Sequence, residues 1–196
     1  MHGFRTVAAG AALFAGASIS VAAQGSGGVA PAHKAHAAKP VAAAASPAAT
    51  DTVKVNEFMS YDPAAKTVAL KVFSAHGSTN GGMNFNGGAS GSQTITIPVG
   101  WSVSMTFTNE DAIPHSAIIL PNKMPFPAQP QDPAIARAYT NDVTGGLMTG
   151  KSDHTTFKAS PAGQYLLACG VPGHAPSGMW IHFDVSADAK VPAYKM

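Results

Sequence analysis

The stretch from Leu166 to Val185, LLACGVPGHAPSGMWIHFDV, brings three metal-binding side-chain types into one short segment. Cys169 is the only cysteine of the 196 residues, His174 follows five places later, and Met179 five places after that. Taken singly, each would be an ordinary structural residue, since a lone cysteine is usually a small buried hydrophobe. Together at C-x4-H-x4-M, in a loop shaped by glycine and proline, they indicate a metal site.

A site of this kind needs a further ligand from elsewhere in the chain. His115, in DAIPHSAIIL, follows the turn that ends MTFTNED and comes just before a run of apolar residues. We therefore expect its ring to lie at the edge of the core and to complete the site. The other histidines of the folded part stand in a glycine-rich stretch, a polar turn and the wet face of a strand, and are not expected to take part: His76, His154 and His182.

The types of these ligands select the metal. Two histidines and one cysteine in a trigonal set, with a weak axial methionine, form the ligand set of a blue-copper electron-transfer centre. Zinc favours a tetrahedral set of cysteine, histidine or carboxylate, without methionine. Covalent haem attachment needs two cysteines ahead of a histidine. The sequence therefore predicts one type 1 copper ion held by His115, Cys169, His174 and Met179.

The residues around these ligands predict an all-β domain. Short runs rich in β-branched and aromatic residues alternate between apolar and polar positions and are separated by turn residues. Strands with one buried face and one solvent-exposed face are typical of an antiparallel sandwich. The predicted strands are Thr52–Phe58, Thr67–Phe73, Thr94–Val99, Ser102–Asn109, Ser116–Leu120, His154–Ala159, Gln164–Cys169 and Met179–Val185.

Two further features follow from this strand pattern. Cys169 ends one predicted strand and Met179 begins the next, so the loop between them should bring all the ligands to one end of the sandwich.

Residues 121–150 are rich in proline and then in glycine, with one or two helical turns expected in Asp132–Tyr139. We interpret them as a long connection packed across the sandwich.

The chain before the predicted sandwich has a different composition. Residues 1–23 have Arg5 near the start, an apolar run and small residues at the end, which predicts a secretory signal peptide cleaved after Ala23. An uncleaved membrane anchor is the alternative. Residues 24–50 lack aromatics and predict a disordered Ala/Pro-rich linker, which leaves 51–196 as the folded domain. Either interpretation of the first segment predicts a periplasmic or extracytoplasmic domain.

The charge pattern argues against nucleic acid as a partner. Residues 51–196 hold nine Lys and Arg against ten Asp and Glu, a formal balance of −1 with neutral histidine. No basic run is present in the sequence. Nucleic-acid binding is therefore disfavoured.

These motifs resemble those of the type 1 copper cupredoxins, and within them the sulfocyanins and rusticyanins. The stretch from Asn84 to Leu120 looks like the sulfocyanin core, and CGVPGHAPSGM matches the ligand loop. The resemblance covers about Asp51 to Val185 and implies a cupredoxin-like Greek-key β-sandwich with the four ligands given above. It also implies that Ser116, directly after the first histidine, offers a hydrogen bond near the thiolate.

The function that follows is one-electron transfer between extracytoplasmic respiratory partners, without catalysis. The resemblance implies partners such as a cytochrome, a terminal oxidase or a copper nitrite reductase, and a possible membrane tether through the N-terminus; we expect a monomer. Electrons would pass through the His174 edge, inside an uncharged docking patch formed by Val171, Pro172, Ala175 and Pro176.

Two other functions remain open at this point. A periplasmic copper carrier or chaperone would also be exported, but it needs an open, exchangeable site. A copper-dependent oxidoreductase, or a Cys/His nucleophile, would need its base across a cleft or further histidine clusters.

Overall fold

The protein is described by a computed structural model that covers residues 51–127 and 132–196. The predicted signal peptide or anchor at 1–23 and the predicted linker at 24–50 lie outside the described residues, as do residues 128–131. No helix within the described residues combines the length and the hydrophobicity needed to cross a bilayer.

The described residues form ten strands and no α-helix, with one short 3-10 turn at Thr79–Gly82. The strands are β1 (Val53–Lys54), β2 (Met59–Asp62), β3 (Thr67–Ser74), β4 (Thr94–Pro98), β5 (Ser102–Asn109), β6 (Ile118–Pro121), β7 (Ser152–Lys158), β8 (Gly163–Ala168), β9 (Trp180–Ser186) and β10 (Ala193–Lys195). Five strands make sheet 1, in the order β1-β2-β3-β5-β7, and five make sheet 2, in the order β10-β4-β9-β8-β6. The all-β sandwich predicted from the strand pattern is confirmed.

The expectation of purely antiparallel sheets is wrong for two strand pairs. β3 pairs with β5 in parallel, and β4 pairs with β9 in parallel, whereas the other pairs are antiparallel. Between β3 and β5 the chain crosses to sheet 2, forms β4 and returns. Because parallel neighbours need such a crossover and cannot be joined by a hairpin, the two parallel pairs follow from the Greek-key path between the sheets.

The alternation of apolar and polar residues places the core between the sheets. Val103, Met105 and Phe107 of β5 are buried, while Ser102, Ser104 and Thr106 face outward, as the sequence predicts. β9 repeats the pattern, with Ile181, Phe183 and Val185 at most 3% exposed. Aromatic rings join the two sheets across the core, for example Phe157 of β7 against Phe183 of β9, with ring centroids 6.1 Å apart.

Three local predictions differ from the structure. The predicted strand Thr52–Phe58 is interrupted because Asn56 Oδ1 accepts hydrogen bonds from the backbone N–H groups of Phe58 and Met59, both at 2.9 Å, which turns the chain into β2. The segment Asp132–Tyr139 forms bends and turns but no helix. β10 was not predicted, because its three residues follow a proline and carry no alternation long enough to recognise.

The connection between β6 and β7 packs against sheet 2, as expected from its composition. Its backbone pairs with β6, where Ile119 N donates to Ala138 O at 2.9 Å and Ala134 N donates to Ile119 O at 2.8 Å. Side chains of the connection also cover the outer face of the sheet. Phe126 and Val143 pack there on a small second core. The buried members of this second core are Ile118, Leu120, Ala168 and Ala175.

The register of β5 makes a testable prediction about stability. Phe107 is fully buried and its ring packs edge-on against Phe85, with centroids 6.3 Å apart. Phe107→Ala should lower the free energy of unfolding by about 3–5 kcal/mol, because it leaves a cavity between the sheets. The adjacent Thr106→Ala, on the outer face, should cost less than about 1 kcal/mol. Similar losses in the two variants, measured by chemical denaturation, would contradict this register.

Candidate metal centre

The pairing of β8 with β9 puts Cys169 and Met179 side by side. Ala168 lies opposite Trp180 in this antiparallel pair, and Cys169 N donates to Met179 O at 3.0 Å one position further on. Cross-strand neighbours project to the same face of a sheet. Both side chains therefore point into the end of the core, where Cys169 is 2% exposed and Met179 0%.

The loop between these two residues folds back on itself through its own backbone. His174 N donates to Val171 O, and Met179 N donates to His174 O, each at 3.1 Å. Ser177 caps the turn by donating from Oγ to Gly173 O at 2.8 Å. These bonds fix His174 between the ends of two strands, with its ring half-buried.

His115 approaches the same place from the turn before β6. Its N–H donates to Leu147 O at 3.2 Å, and its carbonyl oxygen accepts from Leu147 N at 2.7 Å. The connection thus forms a bridge with the histidine backbone. Gly146, with φ of +74°, leaves no room for a side chain there, because a Cβ would lie 2.9 Å from His115 N and from Val171 Cγ2. The His115 ring is fully buried.

Three donor atoms meet where these segments converge. His115 Nδ1 lies 3.8 Å and His174 Nδ1 3.5 Å from Cys169 Sγ, and the two Nδ1 atoms are 3.1 Å apart. A point in their plane is about 2.0 Å from all three atoms, close to the roughly 2.0–2.3 Å that metals keep to imidazole nitrogen and thiolate sulfur. The donor set therefore fits a single metal ion without a change of backbone.

Asn109 holds the turn that carries His115. It is the last residue of β5, on the face of the strand that points into the core, and it is fully buried. Its Nδ2 donates to Ile113 O at 2.8 Å and to Leu147 O at 2.7 Å, while its Oδ1 accepts from Asp111 N at 2.9 Å and from Ser74 Oγ at 2.6 Å. Every hydrogen-bonding position of this amide is used, which ties both segments around His115 to the sandwich.

Ser116 contacts the cysteine mainly through its backbone. Its N–H donates to Cys169 Sγ at 3.5 Å, whereas its hydroxyl donates to Val143 O at 2.6 Å and lies 3.9 Å from the sulfur. The hydroxyl also accepts from Gly170 N at 3.0 Å. The expected hydrogen bond near the thiolate thus comes from the amide, and the side chain braces the loop instead.

The surroundings shift the titration of two candidate ligands. Burial raises the pKa of the Cys169 thiol, and the N–H groups of Ser116 and Val171 offset part of the rise. Burial, and then the nearby His115 ring, lower the pKa of His174, while Asp111 acts in the opposite direction. A neutral imidazole is the form that binds a metal, so the lowered pKa of His174 favours binding. The thiol must release its proton to solvent when the ion binds.

The structure places the other three histidines of the described residues away from the donor triangle. His154 lies on the outer face of β7, not in a turn, with Nε2 2.8 Å from Ser104 Oγ. His182 stacks edge-on against Trp180 on the outer face of sheet 2. His76 lies 3.3 Å from Glu110 Oε2.

The expected surface patch needs one correction. Val171, Pro172 and Pro176 are half-buried or exposed, but Ala175 is buried in the second core. Ile113 and Pro114 extend the patch on the other side of Gly146, where a Cβ would touch Pro114.

Sequence reasoning missed three residues of this site. Asn109 had a signal, because it continues the inward phase of Val103, Met105 and Phe107 at a position where an apolar residue is expected. Gly170 carried no signal in the sequence. Its importance is visible only in the structure, where a Cβ would lie 2.2 Å from Val143 Cγ1. Asp111 carried no signal either; its Oδ2 lies 2.8 Å from His115 Nε2.

Residues 54–196 match the sulfocyanin (SoxE) domain. Sulfocyanin of Sulfolobus acidocaldarius is 33% identical over 139 residues, which cover 67% of this chain and 70% of that protein. Rusticyanin of Acidithiobacillus ferrooxidans is 36% identical over 90 residues, 44% of this chain and 46% of that protein, so this match spans about half of the relative. Among solved structures, auracyanin B aligns with a TM-score of 0.47 at 21% identity, covering 70% of this chain and 96% of that one.

The lowered pKa of His174 can be measured in the metal-free protein. Because the folded state disfavours the imidazolium, the ring should stay neutral to a lower pH than in an unfolded chain, and stability should fall as the pH drops below about 6.5. NMR titration of the metal-free protein should give a midpoint below that of a peptide spanning 170–178. A midpoint equal to or above that of the peptide would show that burial does not control this histidine.

Proposed function

The chain belongs to the sulfocyanin family of blue copper proteins, and we propose that it is an extracytoplasmic one-electron carrier whose ligands are His115, Cys169, His174 and Met179. Its cofactor is one type 1 copper ion. The observation that carries the proposal is the buried triangle of two imidazole nitrogens and one sulfur, all within 3.8 Å of one another. When bound, copper carries the electron by alternating between Cu(I) and Cu(II).

The residues around the ligands support electron transfer because they limit movement. Cys169 and Met179 stand on paired backbone at the ends of β8 and β9, and the His115 backbone is paired with Leu147. Asn109 fixes the same turn through four hydrogen bonds. A site that keeps one geometry in both oxidation states needs little reorganisation, so electron exchange is fast.

The burial of the ligands favours a carrier of electrons over a carrier of copper. His115 and Met179 are fully buried and Cys169 is 2% exposed, so the ion would not exchange readily with a partner. An enzyme would need space for a substrate next to the metal, whereas the pocket beside Cys169, between Phe126 and Val171, has room for about one water molecule. We therefore infer a protein without catalytic activity of its own.

The half-buried edge of His174 gives electrons a route to the surface. Around it, the segments 112–114, 144–148 and 170–178 contain no charged residue. A small apolar surface suits brief contacts, because weak redox encounters bury little area. The partner would be a cytochrome, a terminal oxidase or a copper nitrite reductase. The N-terminal pattern favours a location outside the cytoplasm, where the protein would act as a monomer, either free or tethered through its N-terminus.

Absorption and electron paramagnetic resonance spectra of the copper-loaded protein test this function. We expect an intense blue thiolate-to-copper band that one electron bleaches reversibly and that Cys169→Ser abolishes. His115→Ala should open the site to added imidazole and change both spectra. His154→Ala is the matched control, since this histidine lies on the outer face of β7, and it should leave them unchanged. A colourless Cu(II) protein, or a blue one without Cys169, would exclude the proposal.

The axial assignment of Met179 is tested by the redox potential. A thioether is a weak donor that favours Cu(I), so Met179→Gln, which places a harder oxygen near the metal, should lower the potential. Met179→Leu removes the donor and should raise it. Protein-film voltammetry of both variants decides the question, because shifts in the same direction would mean that Met179 is not the axial ligand.

A further inference from the structure

His115 has a second ring nitrogen that points away from the donor triangle. Its Nε2 lies 2.8 Å from Oδ2 of Asp111, a residue of the turn between β5 and β6. A carboxylate only accepts hydrogen bonds, so Nε2 must carry the proton of the neutral ring. That tautomer leaves a lone pair on Nδ1, the atom that faces Cys169 and His174.

The carboxylate of Asp111 is held in place from several sides. Its Oδ1 accepts from Ala112 N at 2.6 Å, and its own N–H donates to Asn109 Oδ1 at 2.9 Å. Gly82 closes over the other oxygen, since a Cβ there would lie 3.3 Å from Oδ2. The side chain is 23% exposed.

Asp111 is a charged residue among apolar neighbours. Ile113, Pro114, Leu147 and Val171 around His115 are apolar, and Glu110, the neighbouring carboxylate, lies against His76 at 3.3 Å instead. One imidazole ring therefore stands between a negative charge and the donor triangle. Partial burial weakens the screening of this charge by water.

We propose that Asp111 is a positioning residue that orients His115 for the metal and lowers the redox potential of the site. Its hydrogen bond selects the Nδ1-binding tautomer and makes the ring a stronger donor, as carboxylates do for histidine ligands generally. Its negative charge stabilises Cu(II) over Cu(I). The proposal rests on the copper site described above and adds to it a residue outside the four ligands.

Two variants at this position separate the charge from the hydrogen bond. In Asp111→Asn the amide oxygen can accept from Nε2, with the bond from Ala112 N given up, and the charge is lost. At pH 7 the potential should rise, with the Cu(I) to Cu(II) ratio at a fixed applied potential increasing about tenfold, or about 59 mV for one electron, while the blue band persists. In Asp111→Ala both features are lost, so the potential should rise, and copper should also leave faster to a chelator.

Glu110→Gln is the matched control, because it removes the same charge from the adjacent residue without touching His115. We expect it to shift the ratio by less than about twofold, since exposed charges are screened. A shift in Asp111→Asn no larger than that of Glu110→Gln would overturn the proposal. A wild type without a blue band would instead refute the copper site itself, so the two failures are distinguishable.

A second measurement needs no variant and no metal. In the metal-free wild type, nitrogen-15 NMR of the His115 ring should show a protonated Nε2, with a slowly exchanging proton, and an unprotonated Nδ1. The opposite tautomer would overturn the assignment of Asp111, even if the Asp111 variants failed to fold.

Discussion

The metal centre depends on keeping together three donor atoms whose lone pairs must all face one point. The Nδ1 atoms of His115 and His174 are 3.1 Å apart, and in the form that binds a metal, with no proton on either atom, their lone pairs repel. The force that holds them comes from the backbone, through the pairing of Cys169 with Met179 and of His115 with Leu147. The sandwich can be understood as the support for these two pairings, because each is anchored at the end of a sheet.

The second requirement is a dry site, and it explains the buried polar residues nearby. Removing an amide or hydroxyl from water is costly unless its hydrogen bonds are replaced. Asn109 and Ser116 are fully buried, and their side chains join segments of the metal-binding end through Leu147 O, Val143 O and Gly170 N. Elsewhere in the part of the chain that the structure describes, the one buried side-chain atom without a partner is Nδ2 of Asn56, in the turn between β1 and β2. Polarity at the site thus provides rigidity at little cost in stability.

The sequence is informative where one local rule decides the outcome. Alternation in β5 and β9 predicts their buried faces, and the strand, loop and strand around His174 bring Cys169 and His174 close to His115. Properties that depend on distant segments were not predictable. The two parallel pairings come from the path of the chain between sheets, and Ala175 is buried because the connection after β6 covers it.

The side-chain contacts at the site also depend on segments that are distant in the sequence, and so could not be predicted from it. Ser116 was expected to offer a hydrogen bond near the thiolate, and its backbone N–H makes that contact, while its hydroxyl donates to Val143 O of the connection. The contact of Asp111 with His115 depends on the shape of one turn, which Asn109 sets from inside the core.

The connection after β6 also has a consequence for association between copies of the chain. β6 is the last strand of sheet 2, and an open sheet edge is a template for strand addition by another molecule. Here Ala134 and Ala138 occupy that edge with the chain's own backbone. On the last strand of sheet 1, Asp153 and Thr155 are bound by residues of the same connection, Asn141 and Arg137. A segment that looks like a long loop therefore covers one edge of each sheet and leaves β1 and β10 as the other two edges. It reduces the number of strands at which another copy of the chain could add to a sheet.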